Sequence, residues 1–208
     1  MNERSITSTT GGNDQPGELE SRLREKAKTD RQINNFLRLI TTITEAKTLP
    51  IETIEQTIIF LRDQNILEIG PGNTTDILDF LINELYFDQS KLYAIDRLLK
   101  DDPTNAQVAS GRYKRGKIET SYGAWPRFGI IFGFHVLSDL LIVPTKSLAD
   151  QLYNMIAPKG LLAISSVNHS NSEPIKCRFG QPIAAYHPEG LLLFSKGQEQ
   201  ESQTEQEI

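Results

Sequence analysis

Residues 65–75 read Asn-Ile-Leu-Glu-Ile-Gly-Pro-Gly-Asn-Thr-Thr, and residues 91–96 read Lys-Leu-Tyr-Ala-Ile-Asp. No other part of the chain restricts the fold as strongly. A short apolar run carrying Glu68 leads into a glycine turn, a helical stretch follows, and a second apolar run ends in Asp96. That is a strand, turn, helix and strand. Gly70 and Gly72 permit positive φ and put no Cβ in the way, so backbone N–H groups can approach a ligand closely. An acid at the end of the second strand can accept hydrogen bonds from two ribose hydroxyls, so the unit suits a nucleoside cofactor.

In these residues the chain resembles the class I S-adenosylmethionine-dependent methyltransferases, whose first motif reads as an acid, an apolar residue and then G-x-G-x-G. Glu68, Ile69, Gly70, Pro71 and Gly72 match it, and Thr74 stands where a third glycine is usual. Two further segments follow the family order. Residues 128–140 carry His135-Val136-Leu137 at the end of the fourth strand, with Gly129 in place of the expected aspartate. Residues 155–165 match the Leu-Lys-Pro-Gly-Gly turn before strand five. The resemblance covers about residues 65–166 and implies S-adenosylmethionine as cofactor, held by Glu68, Gly70, Pro71, Gly72 and Asp96. Glu119 or Thr120 is placed near the adenine amine, with Ile118 or Tyr122 over the ring.

His135 faces the crevice at the strand ends. It is a candidate general base for a hydroxyl or amine nucleophile, or a histidine that packs beside the cofactor. Methyl transfer from a sulfonium depends more on alignment and exclusion of water than on a base, which favours the packing role. Trp125 reads as either a ligand neighbour or a core anchor.

The 208 residues are 38% hydrophobic and 24% charged, enough for one domain with a sizeable core. A net charge of −5 disfavours a long polyanion as partner, so nucleic acid is not expected. The basic residues Arg112, Lys114, Arg115 and Lys117 read as a solvated strand edge. One cysteine, Cys177, excludes an internal disulfide and gives no metal-ligand spacing; it reads as a buried or half-buried thiol. No stretch approaches the length of a membrane span and no signal core opens the chain, so the cytoplasm is the expected location.

The expected architecture is α/β: a three-layer Rossmann-like methyltransferase sheet, mostly parallel, closed by an antiparallel hairpin and preceded by N-terminal helices. Residues 1–17 and 197–208 are polar and expected to be disordered tails. Residues 18–63 form a helical cap over the substrate side or a dimer interface, with Pro50 in the first turn of the last cap helix. The methyltransferase domain is expected at 64–196. Strands are expected at 66–69, 92–95, 117–119, 129–134 and 161–167, with helices at 75–86 and 147–156. No helix is expected between 168 and 182, and the hairpin pairs 183–186 with 191–195.

The function these residues imply is methyl transfer to a small molecule or a peptide. A scaffold protein that keeps the fold without turnover is the rival reading. Residues 67–72 also resemble the adenine dimethylases of ribosomal RNA, but Phe134-His-Val-Leu stands where those enzymes carry their base-holding motif. A nicotinamide enzyme would require glycine at the position of Thr75.

Overall fold

The structure, a computed structural model, describes residues 17–47, 49–100, 102, 104–118, 125–134, 146–165, 172–186 and 190–197. In chain order the elements are α1 (Glu18–Ala27), α2 (Arg31–Glu45), α3 (Ile54–Arg62), β1 (Ile66–Ile69), α4 (Asp76–Asn83), β2 (Leu92–Asp96), α5 (Ala106–Ala109), β3 (Tyr113–Arg115) and β4 (Phe128–Gly133). They continue with α6 (Lys146–Met155), β5 (Ile156–Ser165), α7 (Glu173–Phe179), β6 (Ala184–Tyr186) and β7 (Leu191–Ser195).

The strands form one seven-stranded sheet in the order β3-β2-β1-β4-β5-β7-β6. β1 to β5 are parallel, and β7 runs antiparallel between β5 and β6. This is the Rossmann-like methyltransferase sheet with its closing hairpin. Both faces of the central strands are buried, as a parallel sheet covered by helices requires. Ile66, Leu92, Ala94, Phe132, Ala163 and Leu193 turn to one face, under α1 to α4. Leu67, Ile95, Ile131, Leu162 and Phe194 turn to the other, under α6 and α7.

The helices before β1 share the first of these cores. Asp30 caps α2 by accepting from the N–H groups of Gln32 and Ile33, at 2.9 and 3.2 Å. The helix then buries Ile33, Phe36, Leu39, Ile40 and Ile43 at three- and four-residue spacing. Phe36 meets Phe132 of β4 with ring centroids 5.8 Å apart. α3 starts at a capping box in which Thr53 and Gln56 satisfy each other's backbone N–H groups. Pro50 therefore precedes that helix and lies outside its first turn, because the stronger cap is Thr53.

Further expectations are corrected. The third strand lies at Tyr113–Arg115, ahead of 117–119. Its ladder continues through Ala94 N–H to Arg112 O and Gly116 N–H to Asp96 O, leaving Ile118 to fill the core beyond the strand. A helix, α7, occupies part of the stretch expected to have none. Pro174 sits in its first turn, where a missing N–H costs nothing, and Gly180 ends it at φ 86°. That helix buries Ile175 and turns Cys177 to solvent, so the thiol is exposed.

The turn expected at residues 157–160 is an excursion within β5. Register against β4 shifts there between Phe128 and Ile130, and Lys159 has φ 62°. Trp125 is a core anchor: its indole N–H donates to Gly111 O at 3.1 Å, and its ring packs edge-on against Tyr93 and Phe128.

Candidate cofactor-binding site

β1 lies between β2 and β4. The chain leaves β1 toward β2 and later returns to β4 on the other side, so the topology reverses at the carboxyl ends of β1 and β4. Open α/β sheets bind ligands in the crevice at such a point. The glycine turn stands there. Gly70 and Gly72 both adopt left-handed backbone, at φ 73° and 85°. Gly70 N–H donates to Ile95 O at 2.9 Å, extending the pairing of β1 with β2 by one residue, and Pro71 is buried beside it.

Asp96 locks this turn. Its Oδ2 accepts from Gly72 N–H at 2.9 Å and its Oδ1 from Leu98 N–H at 2.6 Å. The half-buried carboxyl thus joins the end of β2 to the turn after β1, and each oxygen keeps lone-pair capacity for a further donor. A Cβ built on Gly72 meets nothing within 4 Å, so this glycine is required for its backbone angle, and space lies beside it.

Glu68 lies one layer below. It is 4% exposed, and its Oε2 has no hydrogen-bond partner among the described residues. Burial raises its carboxyl to about pKa 8, with the charges of Asp76, Asp79 and Asp96 acting in the same direction. At neutral pH the group is therefore mostly protonated and able to donate. Asp79 is also raised, first by its own burial, while a hydrogen bond from Thr75 Oγ1 at 3.0 Å pulls the other way.

Thr74, at the place of the usual third glycine, is exposed and donates to Asp76 Oδ2 at 2.9 Å. Its side chain turns away from the sheet. Gly129 stands near the amino end of β4, opposite from the crevice. A Cβ built there would lie 2.2 Å from Gln64 Oε1, so Gln64 already fills the space that the family's aspartate would need.

His135, Glu119, Thr120 and Tyr122 lie outside the described residues. Ile118 is buried beside Ile69 and Ile95. Among the described residues no cluster of His, Cys, Asp and Glu is arranged to hold a metal ion, and no helix is long and apolar enough to cross a membrane. Sequence reasoning missed Tyr113, whose buried hydroxyl shares a row of the sheet with Glu68. The signal was absent because the register of β3 cannot be read from three residues with one apolar side chain.

Neither a protein-family model nor a curated protein sequence matches this chain. Among solved structures it is similar to the N-methyltransferase NodS from Bradyrhizobium japonicum WM9, at 14% identity over 68% of this chain and 93% of that one, with a TM-score of 0.44. A methyltransferase from Pyrococcus furiosus aligns at 18% identity over 79% and 98%, with a TM-score of 0.41. The T. thermophilus 16S rRNA N2 G1207 methyltransferase RsmC, solved with AdoMet and guanosine, aligns at 14% identity over 91% and 45%, with a TM-score of 0.42. These likenesses concern the fold alone.

Proposed function

We propose that the chain binds S-adenosylmethionine at the carboxyl ends of β1 and β2 and transfers its methyl group to a small molecule or a peptide. The observation that carries this reading is the joint made by Gly72 N–H and Asp96 at the mouth of the sheet. A left-handed glycine turn and an acid with spare acceptor capacity are held together where a nucleoside would lie. The residues fit the group: space lies beside Gly72, and Asp96 is half-buried and already oriented by two backbone donors.

When bound, S-adenosylmethionine supplies an electrophilic methyl on a sulfonium. The chain's own residues bind and orient. Asp96 accepts from the ribose hydroxyls, and Gly70 and Gly72 let backbone come close to the ligand. Glu68, protonated in its apolar layer, adds no negative charge beneath the turn at neutral pH. His135 is placed by the resemblance at the end of β4, to pack beside the cofactor or to take the nucleophile's proton. Glu119 belongs to the adenine side in the same reading.

Calorimetry with S-adenosylmethionine and S-adenosylhomocysteine tests the proposal. Binding heat is expected from both, and ligand at 100 times its Kd should stabilise the fold by about 2.7 kcal/mol. Asp96→Ala is expected to weaken binding by roughly 1.5–3 kcal/mol, the worth of hydrogen bonds to a charged group. No heat and no melting shift at millimolar ligand sinks the reading. Binding without turnover on any acceptor would point to the scaffold protein instead, a role that the existing engagement of both Asp96 oxygens also suits.

A further inference from the structure

Residues 97–117 carry six basic and two acidic side chains, in a chain whose net charge is −5. The fold gathers these cations at one border of the sheet, on β3 and on the segment that leaves β2. Arg97, Lys100, Arg112 and Arg115 enter no ion pair among the described residues. Asp96 faces Arg115 in the strand register, but its two oxygens are turned to Gly72 and Leu98. Like charges gathered in this way repel, and an anion set among them relieves the repulsion.

The same border has unused backbone groups. Ala94 N–H donates to Arg112 O, and Gly116 N–H donates to Asp96 O, so Arg112, Lys114 and Gly116 turn their backbone to β2. The N–H and C=O groups of Tyr113 and Arg115 therefore point out of the sheet, where no strand pairs with them among the described residues. Cations flank this free edge on both faces. Tyr113 is buried under α4, Lys114 lies on the opposite face with its ammonium 4.7 Å from the Trp125 ring centroid, and exposed Arg115 returns to the first face. The Arg115 Nε donates to Arg97 O at 3.1 Å, which ties the second guanidinium-bearing residue to the same border.

We propose that the outer edge of β3 docks an acidic peptide in extended form, which adds to the sheet as a further strand. Its backbone pairs with Tyr113 and Arg115, and its carboxylates meet Lys114 on one face and Arg115 with Arg97 on the other. Basic side chains keep an edge strand from pairing with a second copy of itself, and toward an acidic strand the same charges attract. A single-stranded nucleic acid would call for exposed aromatic faces on which to stack its bases, whereas the ring at this border, Trp125, is a core anchor covered by Lys114. The docking edge stands whatever ligand the crevice takes.

The probe is a fluorescein-labelled peptide repeating Glu-Val-Glu, followed by fluorescence anisotropy on the full chain at low salt. It should bind, and the same peptide with Gln in place of every Glu should bind about tenfold more weakly or worse. Arg97→Gln combined with Arg115→Gln should weaken the acidic peptide by about fivefold. Hydrogen exchange read by NMR reports the pairing itself: with peptide bound, the Tyr113 and Arg115 amides should exchange about tenfold more slowly. No anisotropy change overturns the site, and equal binding of the Gln peptide overturns the role of charge. Peptide that binds while both amides keep their free exchange rates overturns strand addition. A uridine oligonucleotide of equal length that binds more tightly than the peptide overturns the choice of partner.

Discussion

Glu68 places a carboxyl in an apolar layer, and the consequence is a pH-dependent fold. In the unfolded chain a glutamate titrates near 4.3; here it holds its proton to about 8. Between those values the folded state binds more protons than the unfolded one, so stability falls as pH rises through that window and levels above it. Glu68→Gln removes the titration. The variant should be more stable than wild type by roughly 3 kcal/mol at pH 7, with the difference shrinking toward pH 5, as denaturant melts at the two pH values would show. Gly72→Ala has open space to enter but a left-handed φ to adopt, and should lose about 1–2 kcal/mol in the same melts. Gly129→Asp, which restores the family's acid, should destabilise by roughly 1–3 kcal/mol because Gln64 occupies its place. A neutral result would mean that Gln64 swings out freely.

Among the elements, α2 does the most to cover the sheet. Phe36 is 1% exposed between that helix and β4, and Phe36→Ala should cost about 3–5 kcal/mol, read as a fall in the denaturation midpoint. That helix was legible in the sequence because its apolar residues repeat every three or four positions. The glycine turn was legible because its backbone angles are local and demand glycine. Much of the rest depended on contacts that no local pattern carries. β3 has one inward side chain, Tyr113, and is a strand only because β2 pairs with it. α7 was hidden because its seven residues are too few to show a clear apolar period, and Pro174 is compatible with a helix only in the first turn, where it lies. The joint between Gly72 and Asp96, 24 residues apart, is invisible until the two strands lie side by side. The acid was nameable in advance; its partner was not.

At the scale of the molecule, the helices before β1 and the sheet bury one another. A chain beginning at residue 48 would lose Ile33, Phe36, Leu39, Ile40 and Ile43 and lay bare the face formed by Ile66, Ala94, Phe132 and Ala163. It should be recovered aggregated, whereas a soluble monomer in size-exclusion chromatography would show that these helices are dispensable to the core. The position of β7 has a consequence in time. It follows β6 in sequence yet sits between β5 and β6, so until Leu191–Ser195 has emerged from the ribosome the side of β5 away from β4 lacks the strand that pairs with it. Synthesis would thus hold open an adhesive border on the nascent chain, and the five-residue strand β7 shuts it in one event.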